Sequence, residues 1–131
     1  MPGLFSRIIS GEIPSYKIAE NDAFFAFLDI APLRMGHTLV VPKRETDYIF
    51  NLTDAELSAM LLFAQPIAKA VEQAFPCKRC GLAVIGLEVP HAHLHIVPID
   101  SADDLNFTRP KLSPAATELE EARRMILSKL L

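Results

Sequence analysis

Short apolar runs, each ended by a glycine, a proline or an Asn-Asp pair, make up the first third of the chain. Gly11 ends the first run, which has the spacing of a short helix. Asn21 and Asp22 separate two runs rich in aromatic and branched residues, which predicts two strands joined by a tight hairpin. A similar run follows Pro32 and is closed by Pro42. The predicted elements are a helix over 4–10 and strands over 15–21, 23–30 and 37–42.

Apolar residues then recur at helical spacing after Thr53. Thr53 and Glu56 have the hydroxyl and carboxylate spacing of a capping box, which marks the start of a helix. Pro66 lies inside this helix and has no N–H, so we expect a kink or a split. The apolar stripe consists of Leu57, Met60, Leu61, Ala64, Ile67, Ala68, Val71 and Phe75.

The remaining pattern contains two strands and a last helix. The strands are predicted over 81–86 and 93–98, and a helix of about fifteen residues follows a polar, turn-rich segment. This order does not alternate strand and helix, as a parallel doubly wound sheet would. It predicts an α+β fold in which helices pack on one face of an antiparallel sheet.

Composition narrows the classes of function. The chain has 131 residues and a formal net charge of -3, so it can bury a core and offers no electrostatic reason to bind nucleic acid or anionic membranes. No apolar run approaches the roughly 18 residues of a membrane-spanning helix. Charged residues and glycines interrupt the first residues, unlike a secretory signal, so we expect a cytoplasmic protein. Its two cysteines, Cys77 and Cys80, read as reduced thiols.

Three of the four histidines, His91, His93 and His95, occupy alternate positions of one predicted strand. Alternate side chains of a strand share a face, so the three imidazoles should point one way. Leu94 and Ile96 should then point the other way, into the core that the long helix covers. An ordinary exposed polar face would not require three histidines in strict alternation, so we expect these residues to have a function.

Two kinds of chemistry fit such a row. The histidines could bind a metal ion, with His37 as a further ligand, although residues spaced about 6.5–7 Å apart along a strand cannot easily all reach one ion. Alternatively, a neutral imidazole could attack phosphorus while its neighbours donate protons to the phosphate oxygens. We favour the second chemistry, which needs no metal and no cofactor.

The segment HAHLHIVP, residues 91–98, fits the signature His-φ-His-φ-His-φ-φ of the histidine-triad (HIT) family, with alanine counted as hydrophobic. Three further motifs stand in the same order as in HIT proteins: F-x-x-I-I-x-G-E-I-P, A-F-x-D-I-x-P and G-H-x-L-V-x-P-K. The chain therefore resembles this family over about residues 4–99. We expect a single HIT-like domain over 1–131, with a C-terminal extension from about residue 100.

The resemblance implies a five-stranded antiparallel sheet with a long helix, followed here by a C-terminal helix, and a homodimer. It also implies a purine nucleotide substrate that is cleaved at the α-phosphate through a nucleotidyl-histidine intermediate. By motif position, His93 would be the nucleophile and His95 would contact the α-phosphate. His91 would help to hold the row, and His37 would face and support it.

The same resemblance implies a nucleotide pocket. Asp29 would bind the ribose hydroxyls, although from the residues alone it reads as a turn residue at a strand end. Phe5 and Ile8 would contact the base, although core packing of an amphipathic helix explains them equally well. The apolar slot for the base would consist of Phe5, Ile8, Ile13, Phe27 and Ile30.

This sequence departs from the HIT pattern near the leaving group and near the amino terminus. Leu87 stands where many members have glutamine, and Glu88 where serine or threonine is common, so both would border the nucleotide. Glu45 replaces a frequent histidine, and the cysteine pair that some members carry near the amino terminus is absent. The last two differences argue against a structural zinc site.

A carboxylate at Glu88 would repel a polyphosphate and could pair with a cationic amine. We therefore expect a nucleoside phosphoramidate or an aminoacyl nucleotide as substrate. The alternatives are a nucleotide-binding or sensing protein with little turnover, a dinucleotide polyphosphate hydrolase, and a metal enzyme that uses the same histidines. Arg109 and Lys111 could approach a phosphate, but we expect both to be solvated.

Overall fold

The computed structural model describes residues 2–130. The elements are α1 (Leu4–Ile9), β1 (Lys17–Glu20), β2 (Phe24–Leu28), β3 (Thr38–Pro42), α2 (Asp54–Ala74), β4 (Arg79–Ala83), β5 (Leu94–Ile99) and α3 (Ala116–Lys129), with short 3-10 turns at Ile49–Asn51 and Ala102–Leu105. The five strands form one antiparallel sheet in the order β1-β2-β3-β5-β4, which confirms the α+β fold. Helices α2 and α3 pack on each other, and both contact the sheet.

The two faces of the sheet carry different apolar clusters. Strand β2 is buried on both faces, and its successive side chains point alternately to one face and to the other. The larger cluster lies under α2 and α3 and includes Ile67, Val71 and Ile126. The smaller cluster lies on the other face with α1, so the expectation that all helices share one face is wrong for α1. The smaller cluster consists of Phe5, Ile8, Phe25, Phe27, Leu39 and Val41.

Helix α2 begins at the predicted capping box. The Thr53 hydroxyl accepts a bond from the Glu56 N–H at 3.1 Å, and the Glu56 carboxylate accepts one from the Thr53 N–H at 2.9 Å. Of the kink or split expected at Pro66, the split is wrong, because the helix continues for 21 residues, and the kink stays a prediction. Pro66 and Leu62, whose carbonyl loses its usual donor, both lie on the exposed side, where water can satisfy that carbonyl. Leu61 is 56% exposed, so it does not belong to the buried stripe.

Strand β5 begins at Leu94, so His91 and His93 precede the strand in which they were predicted. The β3–β5 ladder ends at the pair Val40 and Leu94. Pro42 has no N–H with which to continue it. The segment instead makes other bonds: Ala92 N–H donates to the carbonyl of Thr46 at 2.6 Å. Strand β4 likewise covers 79–83 rather than 81–86.

Within residues 2–130, no helix is both long and apolar enough to cross a membrane.

Candidate active site

A cavity of about 590 Å³ opens on the sheet face that carries α1. Helix α1, the end of β2, the loop before the histidine segment and the chain after residue 106 surround it. The structure brings together around this cavity all the predicted site residues except His91. They are Phe5, Ile8, Ile13, Phe27, Asp29, Ile30, His37, Leu87, Glu88, His93 and His95.

His37 and His95 form a hydrogen-bond chain with a defined direction. The Leu33 N–H donates to His37 Nδ1 at 3.0 Å, so the proton of the neutral His37 ring is on Nε2. That Nε2 lies 2.9 Å from His95 Nδ1, which must therefore accept. The proton of His95 is then on its Nε2, on a ring that lines the cavity. The arrangement makes His95 a donor towards a ligand.

Burial keeps both rings of this chain neutral. It lowers the pKa of His37 to about 3, and the neighbouring His95 contributes to the shift. It also lowers the pKa of His95 to about 4, with a further contribution from His93. Both imidazoles are therefore uncharged at physiological pH, and their directed hydrogen bonds persist there.

His93 has the opposite tautomer. Its Nδ1 lies 2.6 Å from the carbonyl oxygen of His91, which can only accept, so Nδ1 carries the proton and Nε2 keeps its lone pair. The ring is 7% exposed and packs edge-on against Phe5 and His95, at centroid distances of 5.0 and 4.8 Å. His93 still lines the cavity, and its Nε2 is not completely buried. The geometry leaves a nucleophilic nitrogen accessible to a ligand.

His91 does not line the cavity, so the expectation that three imidazoles share one surface is wrong for this residue. Its Nε2 lies 2.8 Å from the carbonyl of Pro42, and its ring packs against Phe5 at 5.6 Å. Within residues 2–130, its buried Nδ1 has no hydrogen-bond partner. The side chain is displaced because the strand starts only at Leu94. His91 contacts His93 through its main-chain carbonyl.

Asp29 lines the cavity beside His37. One carboxylate oxygen accepts the Ala31 N–H at 2.9 Å, and the other is 3.7 Å from His37 Nε2. Desolvation by burial raises the pKa of Asp29 above its usual value, although the Ala31 hydrogen bond opposes this.

Asp29, His37 and His95 place one potential ligand atom each within 4.8 Å of one another, which is the spacing of a metal site. The tautomers oppose this use. The Leu33 N–H occupies the lone pair of His37 Nδ1, and His37 Nε2 carries the proton that His95 Nδ1 accepts. A metal ion would have to displace that proton and break the bond between the two rings.

The profile of the HIT domain matches residues 10–102 of this chain. The chain belongs to the HIT family. The resemblance read from the histidine signature and its accompanying motifs is therefore confirmed.

Solved structures and a curated relative agree with this assignment. A HIT-like protein from Bartonella henselae has a TM-score of 0.83 and 30% identity, and covers 97% of this chain and 95% of its own. A zinc-bound histidine triad family protein from Mycobacterium smegmatis has a TM-score of 0.82 and 31% identity, covering 96% and 91%. The adenosine 5'-monophosphoramidase HNT1 of Saccharomyces cerevisiae is 33% identical over 96 residues, 72% of this chain and 61% of that protein.

The sequence did not reveal one wall of the site in this HIT chain. Phe107, Thr108 and Lys111 line the cavity, and Phe107 packs against His95 at a centroid distance of 4.6 Å. Lys111 was expected to be solvated and is exposed, but it also lines the cavity. Arg109 does not line it and pairs with Asp104 at 3.3 Å. The turn-rich composition of this segment contained no signal for its docking position.

Exposed residues form the mouth of the cavity, and two of them, Leu87 and Glu88, depart from the HIT pattern. Leu87 is 88% exposed, and Glu88 is also exposed. Ile30, on the opposite strand end, is 66% exposed. The inner part of the cavity is therefore apolar and histidine-lined, while the carboxylate of Glu88 stands at its entrance.

Proposed function

We propose that this HIT protein is a purine nucleotide hydrolase or transferase that cleaves at the α-phosphate through a nucleotidyl intermediate on His93. The family includes hydrolases, and the yeast relative is named as a phosphoramidase. The observation that carries the proposal is the hydrogen bond of His93 Nδ1 to the His91 carbonyl, together with the absence of any partner for Nε2 within residues 2–130 on a residue that lines the cavity.

The proposed reaction has two displacements at phosphorus. The lone pair of His93 Nε2 attacks the α-phosphorus, and the bond between phosphorus and the leaving amine breaks. The departing nitrogen takes a proton from solvent at the open mouth. His95 Nε2–H donates to a phosphate oxygen as charge builds there. Water then attacks the same phosphorus and loses one proton to solvent, while the bond between phosphorus and His93 Nε2 breaks. This step releases a nucleoside monophosphate and restores neutral His93.

The proposed nucleotide lies along the cavity from its apolar part to the histidines. The base packs among Phe5, Ile8, Ile13 and Phe27, with Ile30 nearer the mouth, and all five residues line the cavity. A carboxylate oxygen of Asp29 accepts from the ribose hydroxyls, because only its other oxygen is bonded to Ala31.

The proposed substrate class is a nucleoside phosphoramidate or an aminoacyl nucleotide. Glu88 lines the entrance, where a leaving group would emerge, and its carboxylate repels a polyphosphate. Kinetics with adenosine phosphoramidate and with diadenosine polyphosphates distinguish these classes. A higher kcat/KM for the diadenosine compounds would overturn this assignment while leaving the intermediate intact.

Mass spectrometry tests the intermediate directly. The protein is mixed with adenosine 5'-phosphorimidazolide, quenched and digested, and the peptides are searched for one adenylyl group. We expect the group on His93, and no labelling in the His93→Ala variant. Labelling at another residue, or binding of the nucleotide without any adduct, would contradict the mechanism. The latter result would favour a nucleotide-sensing protein.

Use of a metal remains the main rival mechanism. It receives support from the spacing of Asp29, His37 and His95. Elemental analysis and activity in a chelator distinguish the two. Our proposal requires undiminished turnover after metal removal.

We further propose that two copies pair through strand β4 and the neighbouring surface of α2. Strand β4 lies at the edge of the sheet, and its outer side has no strand partner within residues 2–130. Leu61, Leu62 and Leu82 beside it are 56%, 68% and 44% exposed. A second copy offers the same free edge and the same leucines, so a two-fold contact buries both.

Light scattering on the purified protein and on Leu62→Glu tests this pairing. We expect a dimer for the first and a monomer for the second. A monomeric parent protein would overturn the pairing. A cytoplasmic location and a single-domain organisation stay predictions from the sequence.

A further inference from the structure

The chain after the second 3-10 turn folds back against the histidines. Phe107 packs edge-on to His95 at 4.6 Å and lies 6.2 Å from His37. The Leu112 N–H donates to the Pro32 carbonyl at 2.9 Å, which fastens the segment to the turn before β3. Phe107, Thr108 and Lys111 therefore form a wall of the cavity from outside the part that matches the HIT profile.

Lys111 is held within this wall by main-chain carbonyls. Its ammonium donates to the carbonyls of Phe107 and Arg109 and lies 6.0 Å from the centroid of the Phe107 ring. An ammonium has three N–H donors, so these contacts leave one for another acceptor. The amine is thus positioned beside the cavity by groups that do not neutralise its charge.

The charges around the cavity are unevenly distributed. Among the described residues that line it, Asp29 and Glu88 carry carboxylates, while Lys111 is the only lysine or arginine. His37 and His95 are neutral at physiological pH because burial lowers the pKa of each. The positive charge of Lys111 adds to both shifts, so its field reaches the rings beside which a phosphate would lie.

We propose that Lys111 is a phosphate-binding residue of this site, contributed by the C-terminal extension, and that it favours nucleotides over nucleosides. The inference rests on the proposed function, since it assumes a purine nucleotide in the cavity. An anionic phosphate beside two carboxylates and two neutral imidazoles needs a compensating cation. The third N–H of Lys111 supplies a charge-assisted bond to a phosphate oxygen.

Calorimetric titration with AMP and with adenosine tests the role of Lys111. In low salt, Lys111→Met weakens AMP binding about tenfold and leaves adenosine binding unchanged, as loss of one charge-assisted contact requires. Lys111→Arg keeps the charge and retains most of the AMP affinity.

Arg109→Gln is the matched control. It removes one positive charge from the same segment at a position that does not line the cavity. Asp104, its ion-pair partner, keeps its bond from Arg34 at 2.8 Å. This variant should bind both ligands as the parent does. Raising the salt concentration should weaken AMP binding to the parent and to Arg109→Gln, but much less to Lys111→Met.

Two results would overturn the inference. Unchanged AMP affinity in Lys111→Met removes the phosphate contact while the proposed function stands. Equal losses for AMP and adenosine in that variant indicate that Lys111 only supports the wall. Failure of the parent protein to bind either ligand is a different result, because it contradicts the proposed function itself and this inference with it.

Discussion

The two faces of the sheet are built from the same strands and differ in how they are closed. Under α2 and α3, the larger cluster is sealed, and Ile67, Val71 and Ile96 are at most 1% exposed. On the other face, α1 is only six residues long and covers part of the surface. The smaller cluster there borders a cavity of about 590 Å³. A face that its helix cannot fully cover retains space for a ligand.

Because of this contrast, truncating similar apolar side chains should have different consequences on the two faces. On the sealed face, removing methylene groups leaves an internal void and lowers the free energy of unfolding. On the open face, the same change enlarges an existing cavity that solvent reaches. Substitutions there should alter ligand affinity and turnover more than stability, and the following predictions test that division.

The largest expected effect is the loss of turnover in His93→Ala. Removing the nucleophile should lower kcat for adenosine phosphoramidate by a factor of at least about 1,000, because no other lone pair replaces Nε2. AMP affinity should change far less, since the base pocket is intact. Stopped-flow or steady-state kinetics measure the first quantity and calorimetry the second. Turnover near that of the parent protein would disprove the intermediate.

A large effect on stability, with little on activity, is expected for Ile67→Ala on the sealed face. Ile67 is 1% exposed, so truncation should lower the free energy of unfolding by about 2–5 kcal/mol. Ile8→Ala, at 9% exposure on the open face, is the matched substitution. It should lose less stability and raise KM for the nucleotide.

Urea unfolding and kinetics on both isoleucine variants decide whether the faces differ. The kcat and KM of folded Ile67→Ala should equal those of the parent protein. Equal stability losses in the two variants, with unchanged KM in both, would show that the open face is an ordinary core.

The sequence was sufficient to predict an antiparallel sheet and the start of α2. Period-two patterns and the capping box depend on local interactions, so Thr53 and Glu56 could be assigned directly. The sequence was not sufficient to predict the position of the His91 side chain. That position depends on the missing N–H of Pro42, which lies in a strand far from His91 along the chain. Likewise, nothing local to Phe107 indicates that it packs on His95.

The candidate site was predictable for those motif residues that adjacent strands bring together. His37, His93 and His95 converge because β3 and β5 are adjacent in the sheet. Their tautomers were not predictable, because they depend on the N–H of Leu33 and the carbonyl of His91, and every residue offers such groups. Local patterns therefore identified which residues meet, and tertiary hydrogen bonds determine what each imidazole can do.

The free energy of unfolding should depend on pH because of the buried imidazoles on the open face. Burial lowers the pKa of His37 to about 3 and that of His95 to about 4 in the folded protein, below the ordinary value of 6.5. Below pH 6.5 the unfolded chain therefore takes up protons that the folded chain does not, so stability falls as pH falls towards 4. Each ring contributes up to roughly 1 kcal/mol per pH unit, reduced by solvent in the cavity.

Asp29 opposes this trend, because burial raises its pKa and the folded state therefore holds its proton more readily near acidic pH. Urea unfolding at intervals from pH 7 to 4.5 measures the balance. His37→Asn should flatten the slope, whereas Ile67→Val on the sealed face should shift the curve without changing its slope. A parent protein that gains stability between pH 6.5 and 5 would contradict the assignment of neutral, buried rings.

The smallest expected effect concerns how α1 is held over the open face. Gly3 supplies no side-chain cap, and Glu45 from the loop after β3 instead accepts the Gly3 N–H at 2.7 Å and the Ser6 hydroxyl at 2.8 Å. These bonds hold the pKa of Glu45 below its usual value, so the carboxylate stays charged at neutral pH. The contact fixes the turn that carries Phe5 to His93.

Glu45→Gln keeps the shape of this contact and removes its charge, so it should raise KM for the nucleotide about two- to fivefold without changing kcat. Ser6→Ala removes only one of the two bonds and should have a smaller effect. The chemistry at His93 does not involve either side chain, which is why kcat is the discriminating quantity. A fall in kcat at constant KM would mean that Glu45 acts on the histidines rather than on the placement of α1.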